Sequence, residues 1–248
     1  MSKPELVILP HPGIGDLMSA NGIIRHYVQN HNVIIGVRID NIKNALFMFR
    51  DLTNLRIFAG RDDEELRHIA TTKLSNIPRI GLGYFNGDDC RGPFPHGNFL
   101  KIFYKDANLE FGDMYSKFFV LRDVQCEQAL YDAMVKHLGT DKYIIIHDDL
   151  ARGYYIDESL VDCPNGVAKL YIGRNRCPIQ GETIFDYRMV LEKCIAFHGF
   201  NSCFPVMIDL WNIPVEKKFL HLYPRPTPSN FAAEYHKPGW ISIDKSSS

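Results

Sequence analysis

Short, continuous apolar runs alternate along this chain with segments whose apolar residues recur every three or four positions. Leu6–Leu9 is a run of strand length, and Leu17, Ala20, Ile23, Ile24, Tyr27 and Val28 then follow at helical spacing. Asn32–Val37 predicts a second buried strand, residues 41–52 a helix with Leu46, Phe47 and Phe49 on its apolar side, and Leu55–Phe58 a third strand. These strands are apolar on both faces instead of alternating, which is the pattern of a parallel sheet covered by helices. Asp62–Lys73 predicts a further helix and Arg79–Gly83 a further strand.

The rhythm changes at Phe85–His96, where Gly87, Gly92, Pro93 and Pro95 stand beside two aspartates and predict an irregular surface loop. Phe99–Tyr104 leads into a predicted helix over Phe111–Leu121, with Phe111, Tyr115, Phe118 and Phe119 at core-facing spacing and Tyr104 and Asn108 assigned to the surface. Val124–Leu138 reads as another helix. After Gly139-Thr140-Asp141 the alternation restarts with a strand at Tyr143–His147, a turn at Pro164-Asn165-Gly166 and a strand at Val167–Ile172. A helix at Ile184–Glu192, a strand at Cys194–Phe197, a helix at Phe204–Trp211 and a last strand at Val215–Leu220 complete it. Pro224, Pro226 and Pro228 read as a rigid linker into a terminal helix. The predicted fold class is α/β, with two Rossmann-like lobes of mostly parallel sheet over residues 1–138 and 139–248.

Composition narrows the functional classes. The 248 residues are 46% hydrophobic, enough for a core that needs no disulfide or metal staple. With 28 Lys and Arg against 29 Asp and Glu there is no broad positive field, so no nucleic-acid partner is expected. The six cysteines lack CxxC spacing and read as reduced thiols; Cys203, at a predicted helix start, is the one in a position to be activated. Met1–Pro10 reads as neither a signal peptide nor a membrane span, so a cytoplasmic location is expected, while peripheral membrane association and oligomeric state stay open.

Candidate chemistry lies just beyond the apolar strands. In Pro10-His11-Pro12-Gly13-Ile14-Gly15-Asp16, Gly13 and Gly15 allow close approach of a ligand, but the run is neither GxGxxG nor a P-loop. Asp16 is suited to general-base work on a hydroxyl, or to capping the helix, and His11 is a second base or a donor to substrate. In His147-Asp148-Asp149-Leu150-Ala151-Arg152-Gly153, Arg152 can clamp a diphosphate or pair with an aspartate. Asp148 and Asp149 can orient Arg152 or His147, or bind sugar hydroxyls; adjacent aspartates fix no metal-ligand set, and no metal is expected. Asn201-Ser202, before a predicted helix, can contact phosphate or cap the helix. Asp186 can bind a sugar hydroxyl, cap a helix or face solvent. His221, Tyr223 and Arg225 form a polar-aromatic cluster able to close over a donor.

Gly13-Ile14-Gly15-Asp16, followed by a helix carrying Asn21-Gly22 and Arg25, resembles the heptosyltransferase-like branch of the GT-B glycosyltransferases. Most of the chain is also similar to a group of uncharacterised bacterial and large-virus proteins. The shared runs are Asn21-Gly22-x-x-Arg25, Asp51-Leu52-x-Asn54 and His147-Asp148-Asp149-x-x-Arg152-Gly153. That group often has Asp-Ser-Ser where this chain has Asn201-Ser202-Cys203. The Arg152 loop also looks like the arginine-bearing donor loop of some fucosyltransferases.

What the resemblance implies is metal-independent, inverting transfer of a sugar from a nucleotide-sugar donor to a hydroxyl of a glycan or related acceptor. The C-terminal lobe would bind the donor and the N-terminal lobe the acceptor, with Asp16 as the base and no tightly bound cofactor. It also implies a part in polysaccharide biosynthesis, in a bacterial cytoplasm or, for a viral protein, that of the host. Two other readings of the same loops are a nucleotide-sugar hydrolase or modifier, and a non-catalytic nucleotide- or glycan-binding module.

Overall fold

The computed structural model describes residues 3–83, 99–173, 176–177, 179–225 and 234–245. The chain divides into two units, Met1–Leu121 and Arg122–Ser248. The first contains β1 (Glu5–Leu9), α1 (Ile14–Ser19), α2 (Asn21–Tyr27), β2 (Asn32–Arg38), α3 (Ile42–Met48), β3 (Leu55–Gly60), α4 (Asp63–Thr72), β4 (Arg79–Gly81), α5 (Phe99–Asp106) and α6 (Asp113–Ser116). Its strands form a four-stranded sheet in the order β3-β2-β1-β4, parallel throughout. The second contains α7 (Val124–Leu138), β5 (Tyr143–His147), β6 (Ala168–Ile172), α8 (Arg188–Lys193), β7 (Ala196–Phe200), α9 (Cys203–Leu210), β8 (Lys217–His221) and β9 (Trp240–Ile243). Its sheet is five-stranded, in the order β6-β5-β7-β8-β9, and also parallel throughout.

The apolar runs explain the layers. Successive residues of a strand point to opposite faces, and Leu6, Val7, Ile8 and Leu9 are all buried, so helices must cover both faces of the first sheet. On one face Val7, Leu9 and Ile34 pack with Ala70 of α4 and with Phe58. In the second unit all of β5 is buried, and Ile144 and Ile146 form a cluster with Ile156 and Ala196. Among the described residues no helix is long and apolar enough to cross a membrane.

Parallel strands send all their carboxyl ends to one edge of a sheet, where an open α/β sheet leaves room for ligands. The strand order adds a second constraint. In the first unit the chain moves from β1 through β2 to β3 and then places β4 on the opposite side of β1; in the second it moves from β5 to β6 and then places β7 on the opposite side of β5. The loops after β1 and after β5 therefore lie at corresponding topological switch points, the crevices that such folds offer to ligands.

Several elements differ from the sequence expectation. The first helix is interrupted at Ala20, which separates α1 from α2. In α3 the buried residues are Ala45 and Met48, with Phe49 buried just beyond, whereas Leu46 is exposed. Over Phe111–Leu121 only α6 is helical, and Phe119 is exposed. The backbone there is captured from far away: Asn21 Nδ2 and Arg25 Nε donate to the Phe119 carbonyl, and Phe119 N donates to Asn21 Oδ1. Tyr104 is buried, not on the surface, because its hydroxyl finds the Ser19 carbonyl at 2.8 Å. The division between units falls before α7 and not after it, because α7 packs on α8 and on the 3-10 turn at Ile184–Tyr187. After β8 the chain returns as the edge strand β9; of the predicted terminal helix, Glu234 and Tyr235 are helical and residues 226–233 lie outside the described residues. The predicted Phe85–His96 loop, and Pro226 and Pro228 of the predicted linker, lie outside the described residues.

Candidate functional site

At the first switch point, β1 ends at Leu9 and the chain turns through His11 into α1, for which Gly13 is the N-cap. Asp16 sits inside the first turn of α1 and makes no capping bond; Gly15 lies in the same turn, its carbonyl accepting from Ser19 Oγ at 2.9 Å. Asp16 Oδ2 is hydrogen-bonded to His11 Nδ1 at 2.9 Å. A carboxylate can only accept, so Nδ1 carries the proton. That is the one side-chain hydrogen bond of Asp16 among the described residues, which leaves Oδ1 of this partly exposed side chain without a donor among them. The opposite ring nitrogen of His11, Nε2, lies 3.8 Å from Oδ2 of Asp63. Asp63 opens α4 directly beyond β3, so the carboxyl ends of two strands bring these three side chains together. Burial raises the Asp63 pKa, and His11 opposes that shift.

The Asn21, Arg25 and Asp51 motif has a different role. Arg25 grips Asp51 bidentately, at 2.8 and 2.9 Å, and shares the Phe119 carbonyl with Asn21. Asn54 donates to the Val28 and His31 carbonyls. These residues fasten α2 to the segments around it and shape the unit that carries Asp16.

At the second switch point, β5 ends in His147, followed by Asp148 and Asp149, all buried. The Asp149 and Tyr154 backbones pair in an antiparallel bridge that closes the Leu150–Gly153 turn. Arg152 lies on that turn, and its Nε donates to Asp149 Oδ2 at 2.6 Å. Its guanidinium stands 5.4 Å over the Tyr154 ring, it is half exposed, and its two terminal nitrogens make no hydrogen bond among the described residues. Arg176, beyond β6, repeats the arrangement. Its Nε donates to Asp148 Oδ2 at 3.1 Å, its guanidinium lies 4.2 Å over the Tyr171 ring, and its terminal nitrogens are likewise unbonded among the described residues. Each of the adjacent aspartates thus holds one arginine by the inner nitrogen and leaves the outer fork for an anion. The close packing behind them is fixed by Gly173, at φ +136°, where a Cβ would stand 2.1 Å from the Asp148 carbonyl oxygen.

His147 is stacked on Phe200 at 5.2 Å and donates Nδ1–H to the Ile172 carbonyl at 3.2 Å. Burial pushes its pKa down to about 4, so near neutral pH the ring is uncharged, with Nε2 an acceptor. It is no cation for a phosphate, but it can accept from a sugar hydroxyl.

The turn after β7 places Asn201 and Ser202 ahead of α9. Ser202 occupies the N-cap position, yet its hydroxyl makes no capping bond and has no partner among the described residues. Arg225 Nη1 donates to the Asn201 carbonyl at 3.2 Å, which brings this part of the predicted set together.

Two predicted contacts fall elsewhere. Asp186 is buried and accepts from Thr183 N at 2.8 Å and Thr183 Oγ1 at 3.1 Å, so its carboxylate caps the Ile184–Tyr187 turn. His221 is fully buried: Nε2 meets His198 Nδ1 at 3.1 Å, and Nδ1 meets the Tyr223 hydroxyl at 3.2 Å. It is part of an internal chain and not of a surface that closes over a ligand. Conversely, Asp63 and Arg176 belong to no recognised motif. The signal that could have found them is the strand-end rule applied to β3 and β6 as well as to β1 and β5. Among the described residues no group of three or more His, Cys, Asp or Glu side chains is placed to hold a metal ion.

The two parallel lobes have a GT-B-like fold. It is similar to that in the crystal structure of the glycosyl transferase family 9 from Veillonella parvula DSM 2008, with a TM-score of 0.60 and 10% sequence identity, covering 100% of this chain and 89% of that one. Arabidopsis thaliana UGT89C1 complexed with UDP-L-rhamnose aligns with a TM-score of 0.30 and 11% identity over 98% of this chain and 69% of that one. No protein-family model and no curated protein sequence matches the chain.

Proposed function

We propose that the protein transfers a sugar from a nucleotide-sugar donor to a hydroxyl of a glycan or related acceptor, by a metal-independent single displacement that inverts the anomeric centre. The observation that carries this reading is the placement of the Asp16 loop and the Arg152 loop at corresponding switch points of two parallel sheets. One loop offers a base and the other an anion fork, which are the two groups such a displacement needs.

In this reading the N-terminal lobe works on the acceptor. Asp16, held at Oδ2 by His11, takes the acceptor hydroxyl proton on Oδ1 as the acceptor oxygen forms its bond to the anomeric carbon. The bond from that carbon to the diphosphate breaks, and the electron pair leaves with the diphosphate. Arg152 receives the developing charge through its outer nitrogens, helped by Ser202 and the neighbouring Arg225. Asp149 sets the direction of Arg152, and neutral His147 accepts from a hydroxyl of the donor. A cytoplasmic setting and a role in polysaccharide assembly belong to the same proposal.

The test is incubation with a panel of nucleotide sugars and hydroxyl acceptors, with products followed by mass spectrometry. Glycosylated acceptor and released nucleoside diphosphate, formed only when both substrates are present, are expected. Free sugar formed at the same rate without acceptor would identify a hydrolase, and binding without turnover a binding module; either result refutes transfer.

A further inference from the structure

His11 stands between two carboxylates. Its Nδ1 edge is hydrogen-bonded to Asp16 at 2.9 Å, and its Nε2 edge faces Asp63 Oδ2 at 3.8 Å, an ion-pair separation longer than a hydrogen bond. Asp63 is placed firmly. It is the first residue of α4, whose N-cap Asp62 accepts from Glu65 N at 2.9 Å. Its Oδ1 is closed off from solvent and makes no hydrogen bond among the described residues, while Oδ2 points at the imidazole. A neutral ring with its proton on Nδ1 would turn the Nε2 lone pair toward that carboxylate, an unfavourable contact. A ring protonated on both nitrogens would donate to both sides.

Resting on the reading of Asp16 as the base, we propose that Asp63 is a positioning residue acting through His11: it keeps a proton on Nε2, so that an imidazolium bridges the two carboxylates and holds Asp16 with Oδ1 open to the acceptor. Asp16 is then fixed in rotamer before the acceptor arrives. The surroundings agree with this assignment. Among the described residues His11 is faced by Asp16 from α1, by Asp63 from α4 and, in a T-shaped contact, by the Phe99 ring from α5. Asp63 in turn feels Asp62, Arg38 and Arg67; its burial disfavours the lone carboxylate, and His11 acts in the opposite sense. Arg38 is itself paired with Asp40 at 2.9 Å.

The direct experiment is a nitrogen-15 NMR titration of the full chain labelled at histidine, with the His11 signal identified by its loss in H11Q. In the wild type the His11 midpoint is expected above the ordinary value of about 6.5, with both ring nitrogens protonated at neutral pH. D63N should lower the midpoint by about 0.5 pH or more, and D63E should recover part of that shift. A second readout is kinetic: D63N should lower kcat with the donor KM unchanged, again with partial recovery in D63E. A His11 midpoint that is the same in D63N as in wild type overturns the proposal. The titration needs no substrate, so failure of the transfer reading and failure of this one are separate results.

Discussion

The carboxylate of Asp16 packs so closely on Gly13 that a Cβ at residue 13 would stand 2.5 Å from Asp16 Oδ2. The Gly13 backbone is ordinary, at φ −64° and ψ 140°, so the demand for glycine is one of space and not of conformation. Gly13→Ala is therefore expected to push the Asp16 side chain off His11 while changing stability by less than about 1 kcal/mol, since the atom in the way is the end of a movable side chain. Thermal melting together with a transfer assay checks this: the melting temperature should hold while kcat falls at least tenfold.

Arg152 and Arg176 are each anchored by one inner nitrogen to a buried aspartate, so removing either takes away one anion fork and also leaves that aspartate without its partner, which a melting curve alongside the binding measurement separates from the loss of the fork. Each charge-assisted contact to phosphate is worth about 1.5–3 kcal/mol, so R152A should weaken nucleotide-sugar binding roughly tenfold to a hundredfold. R176A should weaken it in the same direction, and D149N by less than R152A, because it frees the arginine without removing it. Isothermal calorimetry with a bound nucleotide sugar measures all three.

Three buried histidines set the acid response of the second unit. Burial pushes His147 and His198 down to about 4 and His221 to about 3, from an ordinary 6.5. The unfolded chain therefore binds protons from pH 6.5 downward while the native chain does not. The stability these groups contribute is fully present above 6.5, and it is lost as the pH falls through 6.5 toward their native values. Each titrating group adds a slope of up to about 1.4 kcal/mol per pH. Urea unfolding of the wild type between pH 7 and about 4.5 should show this loss. A variant carrying both H198N and H221N should lose part of the slope.

Buried Asp209 of α9 fastens the last part of the chain. It accepts from His236 Nδ1 at 2.6 Å, Lys237 N at 3.2 Å and Trp240 Nε1 at 3.0 Å. Breaking a buried pair of this kind costs about 3–5 kcal/mol. D209A should lower the melting temperature, and hydrogen exchange should rise first in β9, whose partner across the sheet is β8.

The parts of the fold that could be read along the chain are those whose cause is local. Leu6–Leu9 and Tyr143–His147 are continuous apolar runs because both faces of β1 and β5 are covered, and the loops that follow them carry the candidate chemistry. The misread parts depend on partners distant in sequence. Phe119 is held in a non-helical segment by Asn21 and Arg25, and Tyr104 is drawn inward by the Ser19 carbonyl. His221 and Asp186 are polar residues beside candidate loops, but internal bonds to His198 and Thr183 satisfy them. Asp63 and Arg176 gain their meaning only when the sheets bring the end of β3, two strands from β1, to the loop that carries His11 and the end of β6 beside that of β5, which Asp148 follows.

The most direct test of the account is the turnover of wild type against D16N with one donor and acceptor pair under saturating conditions, with folding of both checked by circular dichroism. The account predicts that D16N lowers kcat by about 10²–10⁴ while binding of the nucleotide sugar is unchanged. Equal turnover by the two proteins would contradict it.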